Sequence, residues 1–269
     1  MTFDEQYYNI GRLDRLSYQN SLVHRLDPRA KLIATLLFLF TVISFSKYEV
    51  LALFPFFLFP ALMMTIGEIP FLFILKKVLL VSPFAVFIGI FNPLLDPGQI
   101  LVPPGFTMAA GWFSFFSILL KFVLTISAAL LLIATTPFPT VCHALRSLGM
   151  PSLFVSQLLF LYRYIFVLVE EAMRMVRARD MRSFGAKGTG IKVFVRIIGT
   201  LFLRTLERAE RIYSAMLSRG FQGDIPILKP THIRAIDLVF VATTILFLVV
   251  FRFYSVTEGV GRLAQELFR

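Results

Sequence analysis

Along this chain, apolar runs long enough to cross a membrane alternate with short polar breaks. Leu32 to Phe45 is almost purely apolar, and Ser46, Lys47 and Glu49 then mark a polar turn. A second run, Val50 to Ile66, contains Pro55 and Pro60 and is expected to kink, which a membrane helix tolerates because neighbouring helices re-satisfy the freed carbonyls. Gly67-Glu68-Ile69-Pro70 breaks the chain, Lys76 and Lys77 come next, and a third run extends from Val78 to Leu95. Residues 96 to 111 hold Asp96, Pro97, Pro103, Pro104 and three glycines without a Lys or Arg, and read as a loop. A fourth run, Trp112 to Thr135, carries Lys121 inside it. The last, Ala235 to Tyr254, has Asp237 near its start and Arg252 near its end, both placed to snorkel. A helix needs about 17 to 25 such residues to span hydrocarbon, and backbone facing lipid must be satisfied within its own segment, so the pattern predicts a helical membrane bundle. Before the first run, Asp27 is placed to cap free amides and Pro28 suits a first helical turn, so the first span is expected to begin there.

Between the fourth and last runs the pattern changes. Leu158, Ile165, Ala172 and Arg179 are spaced seven apart, with Leu161, Leu168, Val169, Met175 and Val176 filling the same stripe. Ile191, Ile198, Thr205 and Ile212 repeat the spacing and lead to Arg219, with Val195, Phe202, Ala209 and Met216 beside them. Both segments read as long amphipathic helices whose apolar stripe continues into an arginine just before a stop, at Ser183 to Gly190 and at Gly220 to Pro226. Lys192, Arg196, Arg204, Glu207, Arg208 and Arg211 fall on the other faces, and Glu170 with Arg174 makes an i, i+4 pair. An arginine near a helix C-terminus complements the macrodipole. That alone does not account for the small or short residues around each one, Ala178-Arg179-Asp180 and Ser218-Arg219-Gly220, which leave a planar guanidinium accessible to a partner's carboxylates or carbonyls.

Charge gives these segments a side. The chain is 57% hydrophobic and 16% charged, with mean hydropathy +0.78, too apolar for a water-soluble domain of 269 residues. Its net charge is +11. Residues 141 to 234 hold fifteen Lys or Arg against six Asp or Glu, a net +9, and by the positive-inside rule this block is cytoplasmic. The N-terminus and the Lys76-Lys77 turn then lie inside, and the 96 to 111 loop outside. Leu153 to Val169, apolar apart from Arg163, would reverse the sidedness of the chain beyond it if it crossed, so it is read as an interfacial or bundle-packed helix. The expected fold is an all-α integral membrane protein of five transmembrane helices, or six if that segment crosses, plus long cytoplasmic amphipathic helices. Its organisation is a four-span bundle over 1–136, a cytoplasmic helical part over 137–234, and a last span with a tail over 235–269. A basic chain of this kind uses its charge to fix orientation, so nucleic acid is not an expected partner and the lipid bilayer is. No apolar stretch within residues 1 to 25 reads as a cleavable signal.

Few residues suggest chemistry. Cys142 is the single cysteine, so no internal disulfide is possible. His24, His143 and His232 lie far apart in sequence, whereas a transition-metal site needs several such ligands converging, so no metal or cofactor site is expected. Neither paired carboxylates on a span, nor a nucleophile elbow, nor a phosphate-cradling glycine loop argues for an enzyme. A free-standing channel or secondary transporter buries ionisable residues mid-span, and Lys121 alone qualifies.

Taken in order, Arg25-Leu26-Asp27-Pro28-Arg29-Ala30-Lys31-Leu32, Leu148-Gly149-Met150-Pro151, Tyr162-Arg163-Tyr164, Glu170-Glu171-Ala172, Leu206-Glu207-Arg208-Ala209-Glu210-Arg211 and Met216-Leu217-Ser218-Arg219-Gly220-Phe221 form a recognisable set. With them the chain resembles the transmembrane T component of energy-coupling factor transporters, a branch of the ATP-binding-cassette importers, and is most similar to the CbiQ type that serves cobalt uptake. The resemblance implies a non-catalytic scaffold in the plasma membrane. It would link a substrate-binding, CbiM-like membrane subunit to two cytoplasmic ABC ATPase subunits. Nickel or a vitamin in place of cobalt would leave such a scaffold nearly unchanged. In that family two coupling helices each end in a short Ala-Arg-Gly-like motif that enters a groove on an ATPase. Carried over, the motifs are Ala178-Arg179-Asp180 and Ser218-Arg219-Gly220, and the first departs from the pattern by having Asp180 where glycine is usual.

Overall fold

The computed structural model describes residues 16–47, 49–95, 99–102, 106–182, 190–223 and 233–253. Contacts divide them into two units, one from the described residues of Leu13–Pro137 and Thr231–Arg269, the other from those of Phe138–Pro230.

The first unit is the apolar bundle. Helix α1, Pro28–Ile43, starts as its sequence predicts: Asp27 Oδ1 accepts from the Arg29 N–H at 2.8 Å and Pro28 occupies the first turn. A 3-10 segment, Leu51–Phe57, accommodates Pro55 before α2, Leu58–Gly67, so the expected kink takes the form of a tighter turn type. Helix α3 runs Phe71–Gly89 and α4 Phe91–Leu95. The third span therefore begins seven residues before the apolar run, and Lys76 and Lys77 lie within its second turn rather than in a turn before it. The 96 to 111 region is more than a loop. Within it β1, Gln99–Val102, pairs antiparallel with β2, Phe106–Ala109, with Gln99 opposite Ala109 and Val102 opposite Phe106.

Helix α5, Ala110–Thr135, packs against α1, α2, α3 and α4, and α9, Ala235–Phe253, packs against α1. The core is aliphatic and aromatic: Phe38, Phe56, Phe59, Leu124, Leu131 and Leu248, with Phe38 stacked on Phe59 at 4.5 Å between centroids. On α3 the side chains of Leu72, Leu79, Leu80, Phe84 and Phe87 face outward and exposed, a surface that belongs in lipid.

The second unit contains α6, Phe138–Ser147, α7, Ser152–Arg182, and α8, Ile191–Ser218. Gly149 ends α6 with φ +104°, while the Met150 N–H bonds to Leu145 O and the Gly149 N–H to Arg146 O, both at 3.1 Å. That is a Schellman stop, and Pro151 behind it starts the next helix afresh. Phe138 stacks on Tyr162 at 5.0 Å, which joins α6 to α7.

Among the described residues four helices are long and apolar enough to cross a membrane: Phe71–Pro93, Gly111–Thr135, Ser152–Arg182 and Ala235–Phe253. Ser152–Arg182 is among them because of its apolar first half, although its contacts group it with α6 and α8. Helix α1, with 16 residues, is only about 24 Å long, short of the ~30 Å hydrocarbon core.

Candidate coupling site

Helices α7 and α8 lie antiparallel. Glu171 meets Arg204 at 3.1 Å, Phe160 meets the ring of Phe221 at 6.2 Å, and Ser156 Oγ donates to Gly223 O at 3.1 Å. This places the two candidate arginines at opposite ends of the pair. Arg179 shares a groove with Val193 and Ile197 near the start of α8, whereas Arg219 comes just after the end of α8, near the start of α7. The rise from Ile197 to Arg219 along α8 is about 33 Å at ~1.5 Å per residue.

The two motifs differ locally. At the second, Arg219 is the cap residue of α8, Gly220 takes φ +79°, the Gly220 N–H bonds to Leu217 O at 2.9 Å and the Phe221 N–H to Met216 O at 3.0 Å. Glycine is needed there because an L side chain is strained at that φ. Ser218 Oγ is turned back to Ser214 O at 3.0 Å, which leaves the tip to the exposed Arg219. At the first motif the helix does not stop. Residues 180 to 182 remain helical, and Asp180 accepts from Arg179 Nε at 2.9 Å and from Arg179 Nη2 as well. Asp180 thus lies within the helix, and it holds the guanidinium fork of its neighbour.

Around Arg179 the groove, 740 Å³ in volume, is lined by Arg174, Arg182, Arg196 and Arg204 against Glu171. Arg196, expected on a separate face, borders this groove, because α8 turns that face toward the end of α7. Glu171 sits between Arg204 and Arg174, at 3.1 and 3.4 Å. These pairs are mostly exposed and each is worth little by itself. A second groove of 440 Å³, lined by Phe160, Tyr164, Leu168, Phe202, Ile212 and Met216, runs between the helices toward the Arg219 end. The apolar stripe of α8 is only partly used: Thr205, Ile212 and Met216 are half-buried, whereas Ile191, Val195, Ile198 and Phe202 remain exposed.

The ionisable residues of the bundle take other roles than the sequence suggests. Asp237 does not snorkel; it is buried, and its carboxylate accepts from the Asp27 and Arg234 N–H groups, each at 2.8 Å. Lys121 donates to Phe45 O at 2.6 Å, and Arg252 donates to Ser44 O at 3.2 Å. Both therefore serve the C-terminal end of α1. His24 is half-buried: Nε2 donates to Leu16 O at 3.0 Å and to Ala134 O at 3.3 Å, and Nδ1 accepts from Ser21 Oγ at 2.7 Å. Burial chiefly lowers its pKa below the ordinary histidine value. The same holds for His143, where burial is again the larger cause and Arg146 adds to it. His232 lies outside the described residues. Among those described, no three His, Cys, Asp or Glu side chains are grouped to hold a metal. Cys142 is buried, and burial pushes its thiol up to about 11.

The chain matches the model of the CbiQ cobalt transport protein family over residues 19–230. It is 30% identical over 238 residues to an uncharacterized protein of Methanocaldococcus jannaschii, covering 84% of this chain and 80% of the relative. Against the energy-coupling factor transporter transmembrane protein EcfT of Bacillus subtilis it is 29% identical over 218 residues, 76% of this chain and 82% of the other. A shorter match, 30% identity over 100 residues, relates it to the cobalt transport protein CbiQ of Salmonella typhimurium, covering 37% of this chain and 44% of that one.

Proposed function

The chain belongs to the CbiQ family of cobalt transport proteins, multi-pass components of the plasma membrane, and from that membership we propose that it is the transmembrane scaffold of an energy-coupling factor importer. In this reading it couples ATP hydrolysis by two partner ATPases to uptake of a transition metal, cobalt first, through a separate CbiM-like membrane subunit. The chain itself performs no catalysis and selects no ion. One observation carries the reading: two arginines stand at opposite ends of an antiparallel helix pair, about 33 Å apart along it. Such spacing suits two separate subunits better than one, and the exposed Ile191, Val195, Ile198 and Phe202 supply apolar contact beside them. With residues 141 to 234 in the cytoplasm, closure of the ATPase pair on ATP would move both tips together, and the helix pair would pass that displacement on as a rigid body.

The test is pull-down of the ATPase subunits from detergent with Arg179→Ala, Arg219→Ala and both. Truncating one member of a buried interfacial charge contact costs about 2 to 5 kcal/mol, mostly as faster release. One loss should weaken the complex and two should dissolve it, because the second contact forms at high effective concentration once the first is made. Lysine keeps the charge but lacks the fork, so it should rescue only in part. Arg177 and Arg211, both exposed, are the controls. Retention of the ATPases by the double variant at the wild-type level would reject the assignment.

A further inference from the structure

The first turn of α1 does more than begin a span. Asp27, Lys31 and Asp237 are 6%, 1% and 2% exposed, so two carboxylates and an ammonium are buried together, and these carboxylates are the charges that act on Lys31. Lys31 Nζ donates to the carbonyl of Thr135 at 2.8 Å. The backbone N–H of Asp27 donates to Asp237 Oδ1, whose other oxygen accepts from the Arg234 N–H. His24 adds its bond to Ala134 O at 3.3 Å. Breaking a buried charged contact is costly, so these hydrogen bonds constrain the backbones they touch, although Asp27 Oδ2 is buried without a hydrogen-bond partner.

The backbones it touches are specific. Pro137 is where the chain leaves the bundle unit, and Thr231 is where it returns. Ala134 and Thr135 are the last residues of α5 before that exit, and Arg234 to Asp237 are the first turn of α9 after the return. One short segment, His24 to Lys31, therefore holds both connections.

We propose that Asp27, Lys31 and Asp237 are positioning residues of the transport cycle, clamping the exit at Thr135 and the return at Arg234 to the start of the first span. The proposal rests on the scaffold reading given under Proposed function. Movement imposed on residues 138–230 reaches the bundle along the chain through these two connections, and slack in either would dissipate it. The clamp removes the slack from both at once, because Lys31 Nζ holds Thr135 O while the Asp27 N–H, one turn earlier on the same helix start, holds Asp237.

The test uses the assembled complex with Lys31→Met, which keeps the length of the side chain and removes the ammonium. Hydrogen exchange should rise about tenfold or more in peptides covering 133–137 and also in those covering 233–238. The ATPases should stay bound and hydrolyse ATP, while cobalt taken up per ATP in proteoliposomes falls several-fold. Adding Asp237→Asn, which removes one of the two uncompensated carboxylates, should restore part of the protection. If Lys31→Met does not fold, Asp237→Asn alone takes the same measurements with the same expectation. Faster exchange confined to 133–137, or loosening of both connections with uptake per ATP unchanged, would overturn the clamp. Failure of the unsubstituted chain to hold ATPases would instead overturn the scaffold reading, so the two failures are distinguishable.

Discussion

Replacing Lys121 with methionine should destabilise the bundle and leave the transport path intact. The last carbonyls of a helix have no intrahelical partner, and in hydrocarbon no water replaces one. Because α1 has only 16 residues, its end falls at a depth that a residue in the first half of the 26-residue α5 can reach. Lys121 Nζ meets Phe45 O at 2.6 Å and approaches Ser46 O at 3.5 Å. Arg252 reaches Ser44 O and Ser44 Oγ, each at 3.2 Å, and lies 4.3 Å from the centre of the Phe45 ring. A hydrogen bond to a charged group contributes about 1.5 to 3 kcal/mol, and a cation at a helix C-terminus adds roughly 0.3 to 1. Lys121 is half-buried and Arg252 remains as a second donor, so the low end applies: about 1.5 to 2 kcal/mol, on the order of ten- to thirtyfold in the folding equilibrium. Unfolding by SDS in mixed micelles measures that change, and Arg252→Met in the same cycle should couple with it, since both serve one helix end. Uptake per assembled complex should stay near wild type. Unchanged stability with uptake abolished would refute this reasoning and make Lys121 part of an ion pathway.

Cysteines placed at positions 98 and 105 should be labelled from outside and one at 187 only from the cytoplasm; these positions lie outside the described residues. Gln222 is the better second cytoplasmic position, since Gly223 has φ +86°. External labelling at 187 would mean that Ser152–Arg182 crosses. The native Cys142 should not interfere, because with its thiol held up to about 11 it stays neutral and slow toward maleimide at pH 7. The folded state holds that proton more tightly than the unfolded chain, so stability should fall as pH rises from about 9 toward about 11 and level off beyond; a Cys142→Ala variant should lack that dependence in unfolding titrations. Finally, Asp180→Ala should free Arg179 and increase ATPase retention in pull-down, whereas reduced retention would show that the partner recognises the Arg179–Asp180 pair as a unit.

Periodic features are the legible ones in this chain. Apolar runs locate α1, α5 and α9 to within a few residues, Asp27-Pro28 marks the start of α1, and sevenfold spacing finds α7 and α8. Those signals are local, arising from burial on one helix face or from a cap. The roles of Asp237 and Lys121 are hidden from such signals because their partners, Asp27 and Phe45, lie 210 and 76 residues away. No spacing rule connects such positions. Lys76 and Lys77 read as a boundary and put the expected start of α3 too late, while Pro70, which begins a helix readily, sits just before the true one. The arginine motifs are visible as sequence, but their separation to opposite ends of an antiparallel pair appears only when α7 and α8 are packed. Helix α7 runs on past Asp180 to Arg182, whereas α8 stops before Gly220, a local difference that the spacing of the two motifs does not reveal.

Purification of this chain by an affinity tag from its native membrane, with the mass of the intact complex measured from detergent, tests the scaffold role most directly. The expected result is one copy with two ATPase subunits and a separate metal-binding membrane subunit, and cobalt uptake in liposomes only when all are present. Cobalt transport by the chain reconstituted alone would contradict that role.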